Sequence, residues 1–220
     1  MTDETDCGGS EPCFAHLLVD GHVIDPQAWR DVAAFRKAER QRLYALRKAV
    51  ALDERRATAE QVARQLDERI PEKTGLTIAV YWPIRGELDL RGWMASAHAH
   101  GAMIALPVVI EKDQPVEFHA WTPDTPMRLG TWRIPVPETP RPVTPDTVIV
   151  PLLGVDAQNY RLGNGGGYYD RTLARLPSAT RTIGVGQDFC MMRTIYPMPW
   201  DIAMTEVVLG SGPDGTSSPR

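Results

Sequence analysis

The sequence predicts an α/β domain, with a mostly parallel sheet flanked by helices. Three observations carry that expectation. Continuous apolar runs of strand length recur at 76–84, 102–110, 147–156 and 181–186, the pattern of strands buried on both faces. Segments with helical periodicity or helix-ending signals alternate with these runs, as expected where helices connect parallel strands. No apolar run approaches the roughly 20 residues that span a bilayer.

The elements follow in order. Residues 1–26 read as an N-terminal extension. Its first twelve residues, MTDETDCGGSEP, are polar and acidic. They predict disorder and lack the apolar stretch of a secretory signal. CFAHLLVDGHVID then places Asp20-Gly21 between apolar runs, a hairpin signature. Residues 27–52 and 55–70 read as two helices. LTIAVYWPI (76–84) is the first buried strand, ELDLRGWMASAHAHG a helix closed by Gly101, and AMIALPVVI the second strand. PVEFHAW alternates in polarity and predicts an antiparallel edge strand. Residues 122–146 hold seven prolines and read as irregular surface chain. TVIVPLLGVD is the third strand, YYDRTLARL a helix, RTIGVG the fourth strand and EVVLG the fifth. The expected organisation is an extension over 1–26, one domain over 27–210, and a flexible tail over 211–220.

Composition bounds the function. At 220 residues, 43% hydrophobic and 24% charged, the chain suits one globular domain. A net charge of −4 argues against a general nucleic-acid binder. Cys7, Cys13 and Cys190 form no CxxC pair, which excludes a disulfide framework and a zinc cage and fits a cytoplasmic protein.

Two stretches carry candidate chemistry. On the first helix, Phe35, Leu43, Leu46 and Val50 share a stripe, and Arg36, Arg40 and Arg47 lie within about 40° of one another along its border. That row is either a solvated face or an anion-facing ridge. The second stretch, YRLGNGGGYYDRTLARL, sets three consecutive glycines between a strand and a helix. A tight structural turn is one reading. The other is a phosphate site: bare backbone N–H groups at a helix N-terminus favour anions, Arg161 offers a fork of donors, and Asp170 suits a magnesium ion shared with phosphate. The loop is neither a Walker motif nor a dinucleotide fingerprint.

VPLLGVDAQNYRLGNGGGYYDRTLA resembles the signature of the 5-formyltetrahydrofolate cyclo-ligase (methenyltetrahydrofolate synthetase) family, roughly P-x-x-x-F-D-x-x-G-x-R-L-G-x-G-x-G-Y-Y-D. YWPIRGELDLRGWM, GAMIALPVVI and WDIAMTEV resemble further family segments in the same order. The resemblance implies a three-layer α/β/α domain of the NagB/RpiA/CoA-transferase-like kind. It implies ATP- and Mg²⁺-dependent closure of 5-formyltetrahydrofolate to 5,10-methenyltetrahydrofolate through a phosphorylated formyl group. By the same resemblance Arg36, Arg40, Arg161, Leu162, Gly163, Asn164, Gly165, Gly166, Gly167, Tyr168 and Tyr169 would line ATP. Glu87, Asn164, Gly165, Gly166, Gly167 and Tyr168 would border the folate. Asp170 and Asp201 would hold magnesium, and Arg161 and Tyr168 would act in catalysis. The expected partners are a reduced folate and ATP, with no nucleic acid and no membrane, in a monomer or homodimer.

The chain departs from the family pattern at identifiable points. Arg36 stands at a lysine position and Glu39 at a leucine. Val155 replaces the usual Phe, Asn159 the usual Gly, and Trp200 a small polar residue or His. A paralogue acting on another N-formyl or pterin-like compound, or a non-catalytic folate or nucleotide binder, are the alternative readings.

Overall fold

The structure, a computed structural model, describes residues 18–19 and 22–211. Two short strands, β1 (Leu18–Val19) and β2 (His22–Val23), pair antiparallel with Leu18 opposite Val23. The Asp20-Gly21 turn expected between them lies outside the described residues. Helix α1 (Pro26–Ala49) begins at Asp25, whose carboxylate accepts from the Gln27 N–H at 2.8 Å, with Pro26 in the first turn. A cap and a proline at these positions satisfy or remove orphan donors. Helix α2 (Leu52–Arg69) follows directly.

The rest of the chain builds a seven-stranded sheet. Its members are β3 (Thr77–Ala79), β4 (Met103–Val108), β5 (Glu117–Trp121), β8 (Pro142–Val143), β9 (Thr147–Pro151), β12 (Arg181–Gln187) and β13 (Glu206–Gly210). The order is β13-β12-β9-β3-β4-β5-β8. The pairs from β13 through to β4 are parallel, while β5 and β8 run antiparallel. Outside it, β6 (Met127–Leu129) pairs with β7 (Pro135–Pro137), and β10 (Gly154–Val155) with β11 (Arg161–Leu162).

Helices cover both faces. Ile78, Ile104, Ile149, Ile183 and Val208 pack under Val62 and Leu66 of α2 and under Trp93 and Met94 of α3 (Arg91–Ala99). On the other face Ala79, Ala105, Val148 and Val150 pack under Leu173 of α4 (Tyr168–Leu173). Each buried Val, Leu, Ile or Met side chain among these contributes roughly 1.5–3 kcal/mol. Helix α1 belongs to neither layer. Its Leu43 packs with Leu153, Leu162, Met192 and Ile195, residues that follow β9 and β12.

Three expectations are corrected. PVEFHAW is not the edge strand, because β8, drawn from the proline-rich segment, lies outside it; an edge position tolerates Pro142, which has no ladder N–H to give. The helix expected from Glu87 starts only at Arg91, leaving Glu87 in a turn. The arginine row of α1 is not a border: Arg36, Leu43 and Arg47 are its buried residues, while Leu46 is exposed.

Candidate active site at the glycine loop

The sheet order reverses direction between β3 and β9: β4 lies on one side, β12 and β13 on the other. The crevice beyond the carboxyl ends at such a switch point is where open α/β sheets bind ligands. Here the turn after β3 supplies Glu87, the segment after β9 supplies the glycine loop, and α1 packs across both.

The loop runs from Gly163 to the start of α4. Gly165 (φ +98°) and Gly167 (φ +65°) are left-handed, a conformation that glycine adopts without a Cβ penalty. A Cβ on Gly167 would stand 2.7 Å from Arg171 Nη1. Arg171 Nη2 donates to the Gly166 carbonyl, and its guanidinium lies over the Tyr168 ring at 5.3 Å.

The three arginines of α1 take different tasks. Arg40 Nε donates to the Gly163 carbonyl at 2.8 Å, and its guanidinium carbon would stand 3.4 Å from a Cβ on Gly165. Burial and the neighbouring Arg36 push the Arg40 guanidinium below its ordinary range. Asp201 offsets part of that charge from a distance, and among the described residues Arg40 forms no ion pair of its own. Arg36 is instead consumed by the protein. It forks onto both oxygens of Asp201 and donates to the Ile195 and Tyr196 carbonyls. Arg47 is 2% exposed and donates to the Leu152 carbonyl beyond β9. The ridge therefore presents Arg40 alone to the loop.

Beneath the loop, Arg161 Nη2 donates to Asp170 Oδ2 at 2.8 Å, and its guanidinium lies 5.2 Å from the Tyr169 ring centre. Asp170 Oδ1 accepts from the Ile202 N–H at 3.3 Å. Burial pushes the Tyr169 phenol up. Leu162 is buried and packs against Leu43. Asn164 Oδ1 accepts from the Tyr44 hydroxyl at 2.6 Å, tying the loop to α1.

Glu87 faces this assembly from the β3 side. It is 8% exposed, and its Oε2 accepts from the Ile84 N–H at 3.0 Å. Burial raises its carboxyl to about 7, against the opposing pull of the Ile84 N–H, Arg47, Asn164 and Arg85. It can donate a hydrogen bond at neutral pH, which an exposed glutamate cannot.

The expected magnesium ligands Asp170 and Asp201 each face a guanidinium. Each carboxylate is already neutralised by an arginine. Among the described residues no group of three or more His, Cys, Asp or Glu side chains is placed to hold a metal. A divalent ion at either aspartate would share it with a guanidinium of like charge.

Three groups at the site escaped the sequence reading. Tyr44 lies one turn beyond Arg40 on α1, a spacing that places both on neighbouring ground. Arg171 was legible only as a helix residue. Trp132 is 62% exposed, and its ring meets Tyr168 edge-on at 5.2 Å. Trp132 and Arg133 both hold left-handed backbone, at φ +55° and +61°, which is uncommon for such side chains. The Tyr168 hydroxyl accepts from the Asp113 N–H at 3.1 Å, so Tyr168 is a wall between the loop and this aromatic face.

Two departures from the family pattern find their place in the fold. Asn159 has φ +65°, a conformation that Asn tolerates better than most residues. The buried Asp156 carboxylate accepts from the Gln158 and Tyr160 N–H groups around it. Trp200 packs edge-on against Trp29 of α1 at 5.3 Å. Among the described residues no helix is long and apolar enough to cross a membrane.

A sheet that presents a cationic glycine loop and a buried, near-neutral carboxyl at its switch point defines an α/β enzyme that handles a phosphate-bearing reactant. The model of the 5-formyltetrahydrofolate cyclo-ligase family matches residues 32–210, and the chain belongs to that family. The 5-formyltetrahydrofolate cyclo-ligase of Mycolicibacterium smegmatis is 30% identical over 146 residues, covering 61% of this chain and 74% of the relative. That of Escherichia coli K12 is 28% identical over 172 residues, covering 75% and 94%. The solved structure of Aquifex aeolicus 5,10-methenyltetrahydrofolate synthetase superposes with a TM-score of 0.69 at 26% identity, covering 84% of this chain and 96% of that one. The Mycoplasma pneumoniae synthetase has the same fold, with a TM-score of 0.65 at 24% identity over 78% and 96%.

Proposed function

We propose that this protein closes 5-formyltetrahydrofolate to 5,10-methenyltetrahydrofolate, converting ATP to ADP and phosphate, in the cytoplasm. The observation that carries the reading is the meeting of Arg40, the glycine loop and Glu87 at the switch point, in a chain of this family. The formyl oxygen is a poor leaving group. Attack by that oxygen on the γ-phosphorus makes it a phosphate ester and releases ADP. N10 then attacks the formyl carbon and gives up its proton, the ring closes and phosphate departs with the formyl oxygen.

The protein's part is positioning and charge stabilisation. Arg40, Arg171 and the N–H groups of Asn164 to Gly167 cradle the polyphosphate. Arg161 is a positioning residue: held by Asp170, it fixes the strand-to-loop junction under Gly163. Tyr168 and Trp132 supply aromatic walls for the pterin and aminobenzoyl rings. Glu87 hydrogen-bonds the polar edge of the pterin. Magnesium arrives on the nucleotide phosphates, since Asp170 and Asp201 are occupied by arginines.

The test is direct. Protein mixed with Mg²⁺-ATP and 5-formyltetrahydrofolate should generate the near-ultraviolet chromophore of the methenyl product together with ADP. Absence of both would refute the reading. ADP release from another N-formyl pterin only would move the protein to a different substrate.

A further inference from the structure

The three arginines of α1 mark three stations along the site. Arg47 stands against the turn that carries Glu87: a Cβ on Gly86 would lie 3.3 Å from its Cγ. Arg40 reaches the glycine loop at the Gly163 carbonyl. Arg36, one turn nearer the N-terminus and about 6 Å along the helix axis from Arg40, reaches the Ile195 and Tyr196 carbonyls. A polyphosphate on the loop whose transferable end faces Glu87 therefore points its other end at Tyr196.

Tyr196 is 52% exposed and holds left-handed backbone, at φ +51°, which is uncommon for a bulky residue. Such backbone persists only where its surroundings over-determine it. Here the buried Asp156 carboxylate accepts from the Ile195 N–H at 3.1 Å, and the Thr194 hydroxyl accepts from the Tyr196 N–H at 2.9 Å. The position is thus held without relying on Arg36. Phe35 of α1 meets the Tyr196 ring at 5.0 Å and 85°. A perpendicular contact occupies at most one face of the ring and leaves the other open. Trp200 close by is differently placed: Trp29 packs edge-on against it at 5.3 Å, and the His22 ring lies 6.3 Å away. An open aromatic face at the nucleoside end of a polyphosphate site is a stacking platform, since every base has a π-face to lay on it. We propose that Tyr196 stacks on the nucleobase of ATP and seats the nucleoside, while Arg40 and the loop hold the phosphates. The proposal rests on the cyclo-ligase reading for its nucleotide, but its first test does not need turnover.

The probes are the magnesium complexes of adenylyl imidodiphosphate and of inorganic tripolyphosphate, compared by calorimetry. Tyr196→Ala should bind the adenylyl probe about tenfold more weakly, the effect of one lost base–aromatic stack, and bind tripolyphosphate as the wild type does. Tyr196→Phe should bind both probes like the wild type. In turnover, Tyr196→Ala should raise KM for ATP by a similar factor and leave KM for the folate unchanged. A nuclear magnetic resonance measurement needs no destabilising variant. With tyrosine rings labelled, the adenine protons of the bound probe should show an Overhauser contact to a tyrosine, and Tyr196→Phe should abolish it. Wild-type affinity for the adenylyl probe in Tyr196→Ala overturns the proposal. So does an equal loss for both probes, which would make Tyr196 a support of the loop, and so does an Overhauser contact that survives in Tyr196→Phe. Base-dependent binding through Tyr196 without any turnover would uphold the platform and refute the cyclo-ligase reading alone.

Discussion

Arg36 closes a two-pronged ion pair on Asp201, 165 residues further along the chain, and both side chains are less than a tenth exposed. The pair fixes the late loop against α1. It also pairs with each other the arginine and the aspartate that the family resemblance would assign to phosphate and metal.

Arg36→Ala should therefore cost stability before it costs nucleotide affinity. Removing one partner of a buried pair leaves an uncompensated charge, at about 3–5 kcal/mol. A fall in unfolding free energy of that size, read as a lower urea midpoint, is expected, with KM for ATP changing little in the protein that remains folded. An unchanged midpoint with a raised KM for ATP would return Arg36 to the phosphate site.

Asp170→Asn gives the corresponding test for magnesium. The substitution removes the partner of Arg161 but no metal ligand. At saturating ATP the magnesium concentration giving half-maximal rate should match the wild type, while the melting temperature drops. A several-fold rise in the magnesium requirement would restore Asp170 as a ligand.

Arg40→Ala should behave in the opposite way to Arg36→Ala. Arg40 is the α1 arginine left facing the loop without an acid partner. Loss of one charge-assisted phosphate contact, about 1.5–3 kcal/mol, should raise KM for ATP by about 10- to 100-fold and leave KM for the folate near wild type. Initial rates at varied ATP decide it; equal effects on both substrates would make Arg40 a structural residue.

Glu87 sets a pH dependence with a defined sign. Its carboxyl titrates near 7 in the folded protein and near 4.5 when unfolded, so the folded state binds more protons between those values. The stability linked to this group is present below about pH 4.5 and is lost as pH rises through about 7, on the order of 3 kcal/mol in all. Glu87→Gln should abolish that slope. Denaturation of both proteins across this range should give curves that converge at low pH and separate, with the variant more stable, near neutrality. Parallel curves would show that Glu87 is not held neutral.

The parts legible in the sequence were those fixed by local burial. Ile78, Ile104, Ile149 and Ile183 sit in runs that no solvent-facing strand would carry, and they are the core of the sheet. Apolar runs report burial and not ladder length, so 76–84 overstates β3, which pairs only over Thr77–Ala79. Gly165 and Gly167 announced positive φ directly. The tasks of the arginines did not show, because their partners are backbone carbonyls more than a hundred residues away, at Ile195, Gly163 and Leu152. Trp132 was hidden for a related reason: its value lies in a left-handed backbone and in a ring contact with Tyr168, neither of which has a local signature.

The way α1 is moored has a consequence for what this chain can tolerate over evolution. Arg36, Arg40 and Arg47 each seize a carbonyl on a different segment, and they do so from one face of one helix. An inserted or deleted residue anywhere between positions 36 and 47 would rotate one end of the row by about 100° against the other and unfasten at least one mooring. The length of this stretch is therefore locked, whereas Val50 and Ala51, between the helices, form the natural place for α1 to absorb a change in length.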